Sequence, residues 1–312
     1  HHHHHQNHHH NHHHKHHHKH HHHSHSHSHS HDTHVLGGAF FLIAGFMVIE
    51  LIAGIMTNAL VLIADAGHMF LDATALGLSW WAARVSAKGY DHKLSYGYHR
   101  FQVLAAFING LTLTALVIWI AIEALTRLAH PEPMLPLPAL AVAAVGFIVN
   151  LIAFRWLHGT SNNANIRSAM LHVLGDLLGS AAAMLAAIAV YFFGWLYADP
   201  VLTLLIVVIL ARGAYRVLKE STHILLEGVP QNVDLGEIKQ TLCRAIPAVV
   251  EVHHVHAWAL TAEKPLLTLH ALVPEQTQVQ EVVADIKSLL ATEFGIDHST
   301  IQVETGPCPD TH

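Results

Sequence analysis

The sequence predicts an α-helical membrane protein of six spanning helices followed by a small α+β domain, on three observations. Only 12% of the 312 residues are charged and 52% are hydrophobic, whereas a soluble domain carries about 25% charged residues. Six apolar runs each reach the ~20 residues that a bilayer span needs. From Glu220 onward the composition turns to that of a soluble domain, with 13 acidic against 4 basic residues. The formal net charge of −6 offers no attraction to a nucleic-acid backbone. Two cysteines, Cys243 and Cys308, are too few for a disulfide framework or a Cys-based zinc ribbon.

The chain opens on a His-rich segment. Of its 36 histidines, 23 lie in His1–His34, and no apolar residue precedes Val35. Such a segment cannot bury a core, so 1–34 is expected to be a disordered tail, while each neutral imidazole in it is a metal ligand. The five opening histidines also read as a purification tag. The irregular Asn, Lys and Ser spacing of Gln6–His34 reads instead as a metal-collecting tail. The basic stretch and short apolar run of a cleavable signal peptide are missing, so none is expected.

The six expected spans lie near Val35–Met56, Leu60–Val85, Phe101–Arg127, Leu137–Leu157, Ser168–Phe193 and Pro200–Leu218, giving a membrane domain over 35–219. The connection between the second and third carries Arg84, Lys88, Lys93 and Arg100, and that between the fourth and fifth is flanked by Arg155 and Arg167. On the opposite side only Arg127 stands near a span end. Positive charge marks the cytoplasmic side, so both termini are expected there, in a multi-pass protein of a bacterial inner membrane. Lys15, Lys19, Arg212, Arg216 and Lys219 fall on the same side.

The tail region 220–312 reads as helix (Asp234–Ile246), strand (Val250–Leu260), strand (Leu266–Val273), helix (Glu275–Phe294) and strand (Thr300–Glu304). The strands alternate at period two and are β-branched. The second helix repeats apolar residues at Val279, Val282, Val283, Ile286, Leu289 and Leu290. This αββαβ order predicts a ferredoxin-like layer of helices on one sheet face.

Charged and imidazole groups inside spans are costly and mark function by default. The second span holds Asp65, His68 and Asp72, and the fifth holds His172 and Asp176. A His-x-x-x-Asp spacing puts both side chains on one helical face, with Asp65 one turn before His68 on that face. Two such helices supply two nitrogens and two oxygens to one point, a set that suits tetrahedral Zn²⁺ at ~2.0–2.2 Å. Cobalt(II) fits as well, whereas Ca²⁺ and Mg²⁺ prefer all-oxygen shells. A single His-Asp pair reads as readily as a polar link between packed helices; the repetition of the spacing favours a joint metal site. Small residues at Ala64, Ala66, Gly67 and Ala73, and at Gly175, Gly179, Ser180 and Ala181, let the two helices approach closely. Asp65 has no ligand slot of its own and reads as an orienter of the ligands or a proton carrier. Glu50, Asn109 and Asn150 read equally as the lining of a hydrated path or as interhelical hydrogen-bond partners.

These residues resemble the cation diffusion facilitator (CDF) family, in its zinc-transporting branch. The resemblance rests on Leu-Ile-Ala-Asp-Ala-Gly-His-Met-Phe-Leu-Asp (62–72), Tyr-Gly-Tyr-His-Arg-Phe-Gln-Val-Leu-Ala-Ala-Phe-Ile-Asn-Gly (96–110) and the His172–Asp176 pair. Leu-Leu-Glu-Gly-Val-Pro (225–230), Val-His-Ala-Trp (255–258) and Ile-Gln-Val-Glu (301–304) extend it over essentially all of Val35–Glu304. It implies a homodimeric, proton-coupled antiporter that exports Zn²⁺ from the cytoplasm by alternating access, with His68, Asp72, His172 and Asp176 as the transport site. It also implies a tail domain that packs on its dimer mate and binds zinc through His256, His270 and Glu304. His254, His298, His253 and Cys308 are neighbours able to join that site. Some relatives carry a further site in the second-to-third-span loop. Asp91, His92 and His99 occur there at a different spacing, and no site is assigned to them.

Metal binding needs neutral imidazoles and ionised carboxylates, so Zn²⁺ and protons compete for the same atoms, and exchange between them needs no ATP. No G-x-x-x-x-G-K-[ST] loop is present. A rival reading as an intramembrane zinc hydrolase asks for three ligands, an open water position and a general base, whereas four ligands close this site. A membrane-embedded zinc sensor or storage protein would leave six spans with buried ligands unexplained. The expectation is a secondary transporter and not an enzyme.

Overall fold

A computed structural model of the chain describes residues 26–86, 91–159 and 164–310. Six long helices come first: α1 (Ser26–Thr57), α2 (Leu60–Ser86), α3 (Arg100–Ala129), α4 (Pro136–His158), α5 (Ala164–Phe193) and α6 (Ala198–Leu225). The tail follows as α7 (Leu235–Ala245), β1 (Glu251–Ala259), β2 (Pro265–Leu272), α8 (Val279–Phe294) and β3 (His298–Glu304). The order matches the expected αββαβ run. Residues 1–25 lie outside the described residues. Ser26–His34, expected to be disordered, are the opening turns of α1 instead. Each residue added to an existing helix gains a hydrogen bond without a new nucleation cost, so the apolar helix that begins at Val35 extends backward.

Five of the helices have described segments long and apolar enough to cross a membrane, among them Phe40–Thr57 of α1 and Val173–Phe193 of α5. α2 is described in shorter stretches, and Asp65, His68 and Asp72 lie within its apolar sequence. It is nevertheless central, packing against α1, α3, α5 and α6, and Leu60, Leu62, Ala64, Asp65 and Met69 are fully buried. The most extensive pairings are α4 with α5 and α3 with α6. Large apolar residues such as Ile49, Ile118, Ile148 and Leu205 face outward, as they do where the surrounding solvent is hydrocarbon.

The start of α2 is fastened by a buried ionic network. Its first backbone N–H groups have no helical acceptors. Asp199 of α6 supplies them, accepting from Leu60 N at 3.1 Å and Val61 N at 2.9 Å. A carboxylate there also meets the positive end of the helix dipole. Arg127 of α3 closes the network, donating to the Asn58 carbonyl at 2.7 Å and to Asn58 Oδ1 at 2.8 Å, and lying 3.4 Å from Asp199 Oδ2. Asn58 itself takes a φ of +56°, a left-handed turn that Asn tolerates better than most residues, so α1 reverses into α2 within two residues.

The tail domain is a three-stranded sheet of order β1-β2-β3, with β1 antiparallel and β2 parallel to its neighbour β3. Asp234 caps α7 by accepting from Gly236 N and Glu237 N, and Gly295, at φ +65°, ends α8 in a left-handed turn. Ile238 and Leu242 of α7 and Val282, Ile286 and Leu290 of α8 bury against Val252, Leu267, Leu269 and Ala271 of the sheet. The other sheet face is left to carry function.

Removing one member of a buried ion pair strands the other, at a cost of about 3–5 kcal/mol. Asp199→Ala should therefore lower the chemical and thermal stability of the detergent-solubilised protein by that order. Asp199→Asn, which keeps an acceptor for one N–H, should cost less. Equal stability of Asp199→Ala and the unsubstituted protein in a denaturation titration would contradict the fastening role.

Candidate metal centres

Two groups of donor side chains stand out among the described residues. The first lies between α2 and α5. His68 Nε2 is 3.9 Å from Asp72 Oδ2 and 3.6 Å from Asp176 Oδ1. One donor atom from each of His68, Asp72 and Asp176 lies within 4.8 Å of the other two. The i, i+4 spacing on α2 brings His68 and Asp72 together, and the small-residue face of α5 presents Asp176 to them. The side chain of His172 lies outside the described residues; its backbone belongs to α5, one turn before Asp176.

Two glycines of α5 make this meeting sterically allowed. A Cβ at Gly175 would sit 3.0 Å from His68 Nε2, and one at Gly179 would sit 1.9 Å from Asp65 Oδ1. The second distance is a collision. Both functional side chains of α2 therefore lie against bare backbone of α5, which explains why glycine recurs there at a spacing of four. Asp65 is fully buried behind His68, and Ser180 Oγ donates to its Oδ2 at 3.3 Å. Asn150 of α4 donates to Ser180 in turn, at 3.3 Å. Asn109, by contrast, bonds Thr74 on α2 at 2.8 Å, which is an interhelical link.

The second group is on the open face of the tail sheet. His253, His254, His270 and Cys308 offer donor atoms within 4.8 Å of one another. Glu304 joins them, with Oε1 2.9 Å from His270 Nδ1 and Oε2 2.9 Å from His253 Nε2. Cys308 Sγ is 3.5 Å from His270 Nδ1. The cause of the clustering is a β-bulge. The β1–β2 register shifts between His253 and His256, and His254 takes a φ of +48°, so an extra residue re-aims the side chains. The His254 ring consequently stacks on His270, with centroids 4.7 Å apart.

Partial burial pushes the Glu304 carboxyl up. The Cys308 and Gln302 hydrogen bonds and the charges of His253 and His270 outweigh it and hold the carboxyl below its usual value. Partial burial, with the Glu304 and Asp310 carboxylates, holds the Cys308 thiol above its usual value against an opposing bond to the Asp310 backbone. A cation entering here meets a formed carboxylate and displaces a thiol proton. The residues fit a metal ion: imidazoles and a thiol converge within 4.8 Å of one another, a carboxylate lies 2.9 Å from two of the imidazoles, and His253 Nε2 and Glu304 Oε2 are buried and close but not aligned as a hydrogen bond.

Of the tail residues expected as ligands, His254, His270 and Glu304 are brought together. His256 and His298 are not. His256 pairs with Thr268 in the sheet and lines a cavity of about 620 Å³ against the 93–100 loop. His298 is at the far end of β3 from Glu304, its ring 6.4 Å from that of Tyr96. In the 91–99 loop, Asp91 is occupied as a turn former. It accepts from Lys93 N and Leu94 N and from the Tyr98 hydroxyl, contacts that hold its carboxyl below the usual range. His99 lies 3.2 Å from Lys264 Nζ, a neighbour that repels cations.

The chain matches two family models. The one described as the cation efflux transmembrane domain covers residues 38–226, and the one described as the cation efflux protein, cytoplasmic domain covers 230–306. The zinc transporter ZitB of Escherichia coli (strain K12) is 41% identical over 278 residues, 88% of each chain. The cadmium, cobalt and zinc/H(+)-K(+) antiporter of Bacillus subtilis (strain 168) is 39% identical over 86% of this chain and 87% of its own. The metal cation efflux system protein CzcD of Cupriavidus metallidurans is 39% identical over 86% of each. A solved metal-bound C-terminal domain of CzcD is 40% identical and matches 23% of this chain and 99% of its own, with a TM-score of 0.22.

Gly179→Ala should lower the melting temperature of the purified protein, because overpacking a helix interface costs about 1–3 kcal/mol. Gly45→Ala, where an added Cβ meets nothing within 4 Å, should leave it unchanged or raise it slightly. Matching melting curves for the two variants would contradict the close approach of α5 to Asp65.

Proposed function

We infer the function from one premise: the chain belongs to the cation efflux family, and so is an integral membrane transporter and not an enzyme. Within that frame the protein exports Zn²⁺ from the cytoplasm by alternating access, in exchange for protons. The observation that carries this reading is the meeting of His68, Asp72 and Asp176 between α2 and α5, with His172 one helical turn from Asp176 as the fourth ligand. The set of two imidazoles and two carboxylates suits Zn²⁺ first and admits Co²⁺ and Cd²⁺. The relatives support the metal and the coupling, since one is named a zinc transporter and another a cadmium, cobalt and zinc/H(+)-K(+) antiporter.

In this reading α2 is the sixth span, its polar residues shielded by α1, α3, α5 and α6 around it. Three parts make up the chain: a metal-collecting tail (1–34), a membrane domain (35–219) and a cytoplasmic, ferredoxin-like domain (220–312), with both termini in the cytoplasm. On the cytoplasmic side, where proton activity is lower, Zn²⁺ displaces the protons of the imidazoles and carboxylates and binds. On the far side, protons compete for the same atoms and release it. Rocking of one helix group against another switches the access. Asp65, buried behind His68 and hydrogen-bonded to Ser180, orients the ligands or takes a proton.

The protein works as a homodimer, in line with a cytoplasmic dimer-type domain. The tail-domain metal is held by His254, His270 and Glu304 with His253 and Cys308. Bound there, Zn²⁺ supplies a crosslink between strand residues and the C-terminal segment, which biases the dimer's conformation as cytoplasmic zinc rises. The opening histidines raise the metal concentration near the entrance.

In proteoliposomes with an imposed pH gradient, the protein should accumulate Zn²⁺, and Asp176→Ala should abolish the flux while the dimer persists on gel filtration. Retention of zinc flux in Asp176→Ala would overturn the assignment of the site. Peptide cleavage without flux would favour the hydrolase reading instead.

A further inference from the structure

A second cluster of oxygen atoms lies beside the α2–α5 site, and of its members the transport chemistry above uses only Asp65 with its Ser180 contact. Glu50 of α1, Asp65 of α2, Asn150 of α4 and Ser180 of α5 are all 0% exposed. Ser180 bridges Asn150 and Asp65 through two contacts of 3.3 Å, and the Glu50 carboxyl faces that of Asp65 within hydrogen-bonding reach. Both oxygens of Glu50, Oδ1 of Asp65 and Oδ1 of Asn150 are nevertheless left without a donor. Four buried oxygen acceptors from three helices thus lack a donor, save for whatever positive charge lies between the Glu50 and Asp65 carboxyls.

A buried acceptor without a partner is costly, and a carboxylate far more so. Two carboxyl groups that face each other in a dry interior are not both ionised and bare: a proton or another cation lies between them. The neutral member gives independent support. Asn150 turns its amide nitrogen to Ser180 and leaves its carbonyl oxygen free, the orientation that a cation beside it requires. Gly146, one turn before Asn150, lets α1 pack closely here: a Cβ there would lie 2.5 Å from the Phe46 ring and 3.4 Å from Ser180 Oγ. The donor set contains oxygen alone, without imidazole or sulfur, so it disfavours Zn²⁺ relative to the neighbouring site and suits hard cations. The charged group facing Glu50 from α2 is Asp65, and that from α5 is Asp176; the group near this chain from α4 is the neutral Asn150.

We propose that Glu50, Asp65, Asn150 and Ser180 form a second, oxygen-only cation site that holds the monovalent counter-ion of zinc export, a proton or an alkali cation. The inference rests on the transporter reading and adds to it a binding place for the exchanged ion that is separate from the zinc ligands. Occupation of the two sites is then coupled by charge. A cation at Glu50 and Asp65 repels Zn²⁺ at Asp176 and favours its release, and departure of that cation restores the attraction.

The test compares two transport modes of reconstituted full-length protein. Equilibrium exchange of radioactive zinc for unlabelled zinc needs the zinc site alone. Net accumulation needs the counter-ion, and is driven in one arm by a pH gradient at equal potassium and in the other by a potassium gradient at equal pH. Glu50→Gln should retain zinc–zinc exchange within twofold and lose net accumulation by roughly tenfold or more, the size of an ordinary coupling between sites. The arm that drives the unsubstituted protein identifies the ion. Net accumulation at the unsubstituted level in Glu50→Gln would overturn the proposal. So would loss of exchange together with accumulation in protein that elutes as a single dimer peak. If Glu50→Gln does not yield such a peak, Asn150→Ala takes its place, with the same outcomes expected at smaller amplitude.

Discussion

The approach of α5 to α2 is the constraint on which the rest of the membrane domain depends. Asp65 and His68 project from α2 directly at the backbone of Gly179 and Gly175, and only residues without a side chain leave room for them. The contact fixes where Asp176 meets the α2 ligands and where Ser180 meets Asp65. Van der Waals packing of small residues is the main attraction between helices where the solvent is itself apolar, so the same glycines serve association and function. At the far end of α2 the Arg127–Asp199 network fixes the helix start to α3 and α6. α2 is thereby held at one end by ionic contacts and along its middle by close packing.

Much of this was legible in the sequence. Apolar length located the six long helices, five of which have described segments able to cross a membrane, because a bilayer imposes a minimum that few other structures require. The repeated His-x-x-x-Asp spacing pointed to α2 and α5, since helical geometry puts such pairs on one face whatever the surroundings. The tail's order of helices and strands followed from the periodicity of its apolar residues, and α7, β1 and β2 depart from the expected bounds by a residue at each end.

What was hidden depends on contacts between distant residues or on local irregularity. A single extra residue in β1 redirects His253 and His254 toward His270 and leaves His256 beside Thr268, and nothing in the run Glu-Val-His-His-Val-His-Ala-Trp marks the bulge. His298 was expected as a neighbour of the tail site, yet β3 begins at His298 and ends at Glu304, which puts the two roughly 20 Å apart. The role of Asp199 was also illegible, since its partners are backbone groups more than a hundred residues away. The only hint was its place beside Pro200 at the head of a long apolar helix, where a carboxylate also suits that helix's own dipole.

The central claim is that zinc sits between α2 and α5, held by two side chains from each. Zinc-specific anomalous scattering from crystals of the full-length protein tests it most directly. The account predicts a peak bonded to His68, Asp72, His172 and Asp176, with nitrogen and oxygen contacts of about 2.0–2.2 Å. Zinc peaks confined to the tail domain, with none between α2 and α5 at saturating metal, would contradict it.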